Sequence, residues 1–298
     1  MAFSMKTAGN AAVDSSGSFA REIEGIQLWE TLDDLTVARF ADAWSRHGVL
    51  IFRRQAISED ELVAFSGRFG DPDVIVRADW KSDNRPEVIQ ISNMKDYHGN
   101  SIGGLGAGEL DWHTDQSYVT EPATGSVLHM VEMPKDPPVT YWANLQLAYD
   151  ALPAPKKAEI EGLSVIYDYF VRQSTYDDEP EMSEELRRKT PPVTHPLVNT
   201  HPVTGTRSLY LDPTTAAGIA GWELEAGKDL LVELTEHATR PEFVYGHQWQ
   251  IGDVVMWDNG FLMHRRDAFE PTKNRLLKRT TLRLPSERHI VPVGALAA

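Results

Sequence analysis

The chain has 298 residues, 41% of them hydrophobic and 24% charged, and carries a net charge of −15. Such values belong to a globular chain able to bury a sizeable core, and they exclude a collagen, a coiled coil or a largely disordered protein. The acid excess argues against nucleic acid or anionic lipid as a partner, and the lack of cysteine excludes disulfides, thiolate metal sites and a cysteine nucleophile.

Residues 1–18 are small and polar and are expected to form a disordered tail ahead of a single domain over 19–298. No run of about 18 apolar residues and no basic-then-apolar leader occurs, so a cytoplasmic location is expected. Leu35, Val37, Phe40, Ala41 and Trp44 have helical spacing over 33–47, with Gly48 as the stop. Val49–Phe52 reads as a short buried strand. Ser58 and Glu61 form a capping-box pattern ahead of Leu62, Phe65 and Phe69, with Gly70 as the stop. Val88–Ser92 is a strand, and residues 94–111 are glycine-rich and expected to be flexible. Gly125–Met133 reads as a strand, and 144–170 as helical pieces broken at Pro153 and Pro155. Residues 176–192 are charged and proline-bounded, an expected exposed excursion. Lys228–Arg240 is an amphipathic helix. Strand-like runs follow at Phe243–Gln250, Asp253–Trp257, Leu262–Arg266 and Arg275–Leu284, and Asn259-Gly260 predicts a hairpin between the middle two. Helices early and strands late suggest an antiparallel β core with helices packed around it.

Three groups of residues carry chemistry. In Trp112-His113-Thr114-Asp115, His113 and Asp115 stand at i and i+2, so on a strand both could face one ion. A buried histidine bonded to a nearby carboxylate would give the same pattern. His264 lies in an apolar hairpin, where an imidazole is costly unless paired or ligating. Two histidines and one carboxylate are the donor set of a facial triad for non-haem Fe(II). In Arg275-Leu-Leu-Lys-Arg-Thr-Thr-Leu-Arg283, Arg275 and Arg279 share a strand face. Pointing inward they would call for a bound carboxylate, and pointing outward they would pair with surface acids.

Taken together these segments resemble the taurine dioxygenase / 2,4-dichlorophenoxyacetate dioxygenase family. The resemblance runs from about Gly25 to Leu284: HGVLIFRRQ at 47–55, FSGRFGDP at 65–72, WHTD at 112–115 and GDVVMWDNGFLMHR at 252–265. It implies a double-stranded β-helix, or jelly-roll, core with helices packed on one side. It also implies Fe(II) held by His113, Asp115 and His264, with 2-oxoglutarate and O2 as co-substrates. Arg275 matches the arginine for the distal carboxylate of 2-oxoglutarate, and Thr140 the threonine that helps hold it, although Pro137-Pro138-Val139 replaces the family's Gly-Gly-Asp. Arg279 matches the residue that grips an anionic group of the substrate. Ile75, Ala78 and Glu109 stand where taurine dioxygenase has a histidine, a tyrosine and an asparagine, so taurine itself is not expected.

The implied reaction is hydroxylation of a small organic acid with an apolar, aromatic or aryloxyalkanoate-like body, with release of succinate and CO2. A sulfonate dioxygenase of the same family and a zinc hydrolase built on the same ligands are the alternatives. The oligomeric state, a homo-oligomer included, stays open.

Overall fold

A computed structural model of the chain describes residues 3–9, 19–74, 80–175 and 183–297. In chain order the first half holds β1 (Ser4–Thr7), β2 (Arg21–Glu24), α1 (Asp34–His47), β3 (Val49–Phe52), α2 (Glu59–Ser66), β4 (Asp71–Asp73), β5 (Val88–Ser92), β6 (Leu110–His113), β7 (Gly125–Glu132) and β8 (Thr140–Asn144). Then come α3 (Leu145–Ala151), α4 (Ala154–Ile160), β9 (Ser164–Tyr167), α5 (Tyr169–Thr175), α6 (Glu184–Lys189), β10 (Val193–Pro196), β11 (Val198–Thr200), β12 (Arg207–Leu209), β13 (Ala216–Ile219) and α7 (Leu224–Ala238). The chain closes with β14 (Val244–His247), β15 (Val254–Asp258), β16 (Leu262–Arg266), β17 (Leu276–Arg283) and β18 (Ala295–Leu296).

Two sheets carry the architecture, a jelly-roll core. The larger has the order β1-β2-β3-β15-β7-β17-β4, with β5 also paired to β17, and the smaller has the order β14-β8-β16-β6. Val49, Ile51, Val255 and Trp257 of the larger sheet meet Trp142, Tyr245 and Leu262 of the smaller in one buried core. The alternate residues Leu50, Phe52, Val254 and Met256 join Phe40 and Trp44 of α1 and Phe65 of α2 in a second core. Both faces of β3 and β15 are therefore covered, so these strands read as continuous apolar runs rather than as an alternation. Ala143 and Met263 of the smaller sheet pack with Leu230 and Leu234 of α7. Helices thus cover both outer faces, not one side as the sequence suggested.

Local signals account for the ends of several elements. Asp33 caps α1 by accepting from the Thr36 backbone N–H, and Gly48 ends it at φ 73°. Ser58 and Glu61 form both bonds of the capping box of α2, which ends at Gly67 rather than at Gly70. The expected tail contributes β1, whose Met5 pairs with Ile23 of β2; residues 10–18 lie outside the described residues. Of the excursion 176–192, residues 176–182 also lie outside them, and the remainder forms α6, with no buried residue, and leads into β10.

The expected hairpin is not formed. β15 pairs with β3 and β7, whereas β16 pairs with β6 and β8. Asn259-Gly260 is a corner between sheets, because both neighbouring strands are buried and each finds partners in a different layer. Neither residue has the positive φ that a two-residue type I′ hairpin turn demands. Glycine is needed at 260 for another reason: a Cβ there would sit 2.1 Å from the Ile290 carbonyl oxygen. Gly260→Ala should therefore cost about 1–3 kcal/mol through overpacking, visible as a lower midpoint in denaturant unfolding.

Candidate metal centre

The smaller sheet sets the histidines. His264 of β16 is the cross-strand partner of His113 of β6, and their ring centroids lie 4.1 Å apart. Asp115 follows β6 by two residues and turns back towards them. One potential ligand atom from each of His113, Asp115 and His264 comes within 4.8 Å of the others. The donor set suits a divalent ion. The Nδ1 of His113 lies 2.7 Å from the Asp111 carbonyl oxygen, so a proton there would be donated to Asp111 and Nε2 left as the ligating atom. Such an outer hydrogen bond fixes the tautomer of a ligating histidine. His264 places Nε2 3.9 Å from Asp115 Oδ2. Burial pushes the pKa of His113 down and that of His264 well down. Burial thus favours the neutral imidazole, the form that binds metal.

Asp115 is oriented from three sides. Arg279 Nη1 donates to both carboxylate oxygens at 3.1 Å, Ser126 Oγ donates to Oδ2 at 3.1 Å, and Asn259 Nδ2 donates to Oδ2 at 3.4 Å. Burial alone would raise this carboxyl, but the charge of Arg279 beside it leads the opposing influences, and the group is held well below the usual carboxylate range. Asn259 is itself fixed, because its Oδ1 accepts from Trp257 Nε1 at 3.0 Å. The three residues singled out in the sequence come together here, whereas these supports carried no sequence signal. The residues that turn the corner between the sheets also brace the carboxylate. Asn259→Ala should weaken Fe(II) or Mn(II) binding about 10–100-fold, measurable by titration calorimetry under anaerobic conditions.

The two arginines of the last long strand have different surroundings. Arg275 is 2% exposed, yet among the described residues no carboxylate lies within ion-pair distance of it. Its Nε is buried without a hydrogen-bond partner, and its guanidinium lies 5.6 Å from the Phe269 ring centroid. Burial, with Arg266 nearby, pushes its pKa well below the ordinary arginine value. A buried cation without a counter-anion is costly unless a ligand supplies one. Thr140, the first residue of β8, is opposite Arg266 in the sheet register, and its Oγ1 accepts from Trp249 Nε1 at 2.9 Å.

On the other side of the triad lies a cavity of about 60 Å³ lined by Trp80, Leu105, His113, Asp115, Tyr118, Tyr169, Arg172, Asp212 and Arg279. Glu109 is not among its lining residues; it accepts from Arg265 at 3.2 Å and its side chain is 56% exposed. Ile75 and Ala78 lie outside the described residues. The glycine-rich stretch, expected to be flexible, is pinned. Arg266 donates to the carbonyls of Leu105, Gly106 and Gly108, and Gly104 exchanges backbone bonds with Gln90 and Ser92 of β5. At Gly104 a Cβ would lie 2.1 Å from the Trp80 ring, so the missing side chain lets Trp80 stand at the cavity wall.

Comparison with known proteins follows the same lines. Residues 12–281 match the model of the family described as taurine catabolism dioxygenase TauD, TfdA family. The chain is 34% identical over 275 residues to the alpha-ketoglutarate-dependent 2,4-dichlorophenoxyacetate dioxygenase of Cupriavidus pinatubonensis, covering 88% of this chain and 94% of that protein. AAD-2, in a crystal structure with Mn(II) and N-oxalylglycine, superposes with a TM-score of 0.78 at 30% identity over 95% of this chain and 97% of that one. A taurine dioxygenase from Burkholderia xenovorans gives 0.77 at 32% identity over 99% and 92%. Among the described residues no helix is long and apolar enough to cross a membrane. The chain belongs to the TauD/TfdA family of Fe(II)- and 2-oxoglutarate-dependent dioxygenases.

Proposed function

We propose that this dioxygenase hydroxylates a small organic anion with an apolar or aromatic body. The balance is substrate, O2 and 2-oxoglutarate in, hydroxylated substrate, succinate and CO2 out. The observation that carries this reading is the placement of the two arginines: Arg275 is buried with no carboxylate partner among the described residues, while Arg279 borders the cavity beside the triad. Fe(II), when bound, supplies the oxidising chemistry, and His113, Asp115 and His264 would hold it. Arg275 meets the distal carboxylate of 2-oxoglutarate, and Thr140 assists through its hydroxyl. Arg279 uses Nη1 on Asp115 and keeps a buried Nε without a partner, so N–H groups remain for a substrate anion. Trp80, Leu105, Tyr118 and Tyr169 supply an apolar wall; Ile75 and Ala78, expected beside the substrate as well, lie outside the described residues. A zinc hydrolase would have no use for an uncompensated Arg275.

The 2,4-dichlorophenoxyacetate and taurine dioxygenases among the relatives bracket the choice between carboxylate and sulfonate. Succinate release should be screened with Fe(II), 2-oxoglutarate and a panel of aryloxyalkanoates, aromatic and aliphatic acids, alkylsulfonates and the uncharged methyl esters of the acids. Stimulation by apolar carboxylates is the expected outcome. Stimulation confined to uncharged compounds would contradict the reading.

A further inference from the structure

Arg172 is a cation that the triad and the co-substrate leave without a role. It lies on α5, and it lines the same cavity as Arg279, which comes from β17. The cavity they share has a volume of about 60 Å³.

The position of Arg172 is built rather than incidental. The first turn of α5 is fixed by Asp168, whose carboxylate accepts from the Phe170 N–H at 2.9 Å and whose own N–H donates to the Thr215 carbonyl at 2.8 Å. Thr215 Oγ1 donates to Asp212 Oδ2 at 2.7 Å, and the same oxygen receives Ser117 Oγ at 2.5 Å. Ser117 lies two residues after Asp115 in the chain. A continuous hydrogen-bonded path therefore ties the helix bearing Arg172 to the segment bearing two of the three ligands. The neighbouring side chain on α5, Tyr169, packs against Tyr118 with centroids 4.4 Å apart. The charges of both Arg172 and Arg279 are felt at the Tyr118 hydroxyl.

We infer that Arg172 and Arg279 form a two-arginine clamp on a single anionic group of the substrate, with the Tyr118–Tyr169 pair beside it. Arg279 already donates to Asp115, and Arg172 brings a second guanidinium to the same cavity, so that the two together match a carboxylate or sulfonate with its four or more acceptor positions. This inference rests on the anionic substrate proposed above and assigns a second residue to its recognition.

The test uses the Fe(II)- and 2-oxoglutarate-loaded enzyme, with phenoxyacetate and benzylsulfonate as anions and methyl phenoxyacetate as the uncharged match. Binding is measured anaerobically by calorimetry and turnover by succinate release. Arg172→Met should weaken binding of the anions, and raise their KM, by about 10-fold or more, in keeping with loss of a charged hydrogen-bonding partner. It should leave the ester and the KM for 2-oxoglutarate unchanged, and Arg172→Lys should recover part of the loss. If Arg172→Met affects acid and ester alike, or neither, the clamp is overturned while the anionic substrate stands. If wild type binds neither anion but accepts the ester, the proposed substrate class falls and the clamp with it.

Discussion

His113→Ala and His264→Ala are expected to abolish 2-oxoglutarate-dependent turnover while leaving a folded protein. The triad supplies three protein ligands, so removing one takes away a third of the anchoring. Loss of an outer-shell partner already costs about 10–100-fold in metal affinity, and loss of a ligand should exceed that. Asp115 behaves differently because it also neutralises Arg279. Asp115→Ala strands a buried guanidinium and should destabilise the fold by about 3–5 kcal/mol as well as removing a ligand. Asp115→Asn keeps an acceptor for Arg279 and Ser126 and should lose activity with a smaller loss of stability. Metal titration together with thermal unfolding of the four variants separates ligation from packing. Near-normal Fe(II) affinity in any of them would remove that residue from the centre.

Arg275→Ala should raise the 2-oxoglutarate requirement by a factor of roughly 30 to several thousand, equivalent to about 2–5 kcal/mol for a lost charged partner. Thr140→Ala should cost only about 0.5–1.5 kcal/mol, the range for a neutral hydrogen bond. The environment of Arg275 adds a second, opposite expectation. Without co-substrate the buried charge lacks a carboxylate partner, so Arg275→Met, which keeps apolar bulk, should unfold at a higher temperature than wild type when metal and 2-oxoglutarate are absent. Added 2-oxoglutarate should then stabilise wild type and not the variant. A larger kinetic effect at Thr140 than at Arg275, or equal stabilisation of both proteins by 2-oxoglutarate, would contradict the assignment.

What the sequence made legible was what short-range rules govern. The stop of the first helix at Gly48, the capping box at Ser58 and the bounds of Val49–Phe52 and Leu262–Arg266 follow from local hydrogen bonding and apolar runs. The candidate ligands that the structure brings together were legible because His113 and Asp115 are close in sequence and His264 is an imidazole in an otherwise apolar strand. What was not legible depends on which layer each strand joins. Asn259-Gly260 carries a turn signal, but a turn signal does not say whether the flanking strands pair with one another. Here Val254–Asp258 is buried on both faces and belongs to a different sheet from His264. The same blindness hid Asn259 as a brace for Asp115, 144 residues away along the chain. Tyr169 falls at the end of a segment read only as broken helix and Arg172 just beyond it, and their meeting with Tyr118 in one cavity is purely tertiary. Glu109 was singled out because it matches an asparagine of taurine dioxygenase, yet its side chain is largely exposed and accepts from Arg265.

Labelled dioxygen gives the most direct measurement of the central claim. The enzyme, loaded with Fe(II) and 2-oxoglutarate, is supplied with isotopically labelled O2 and the most active acid of the panel, and succinate and product are weighed by mass spectrometry. The account predicts one labelled oxygen atom in succinate and one in the hydroxylated product, both lost in His264→Ala. Product oxygen drawn only from water, with no succinate formed, would contradict it.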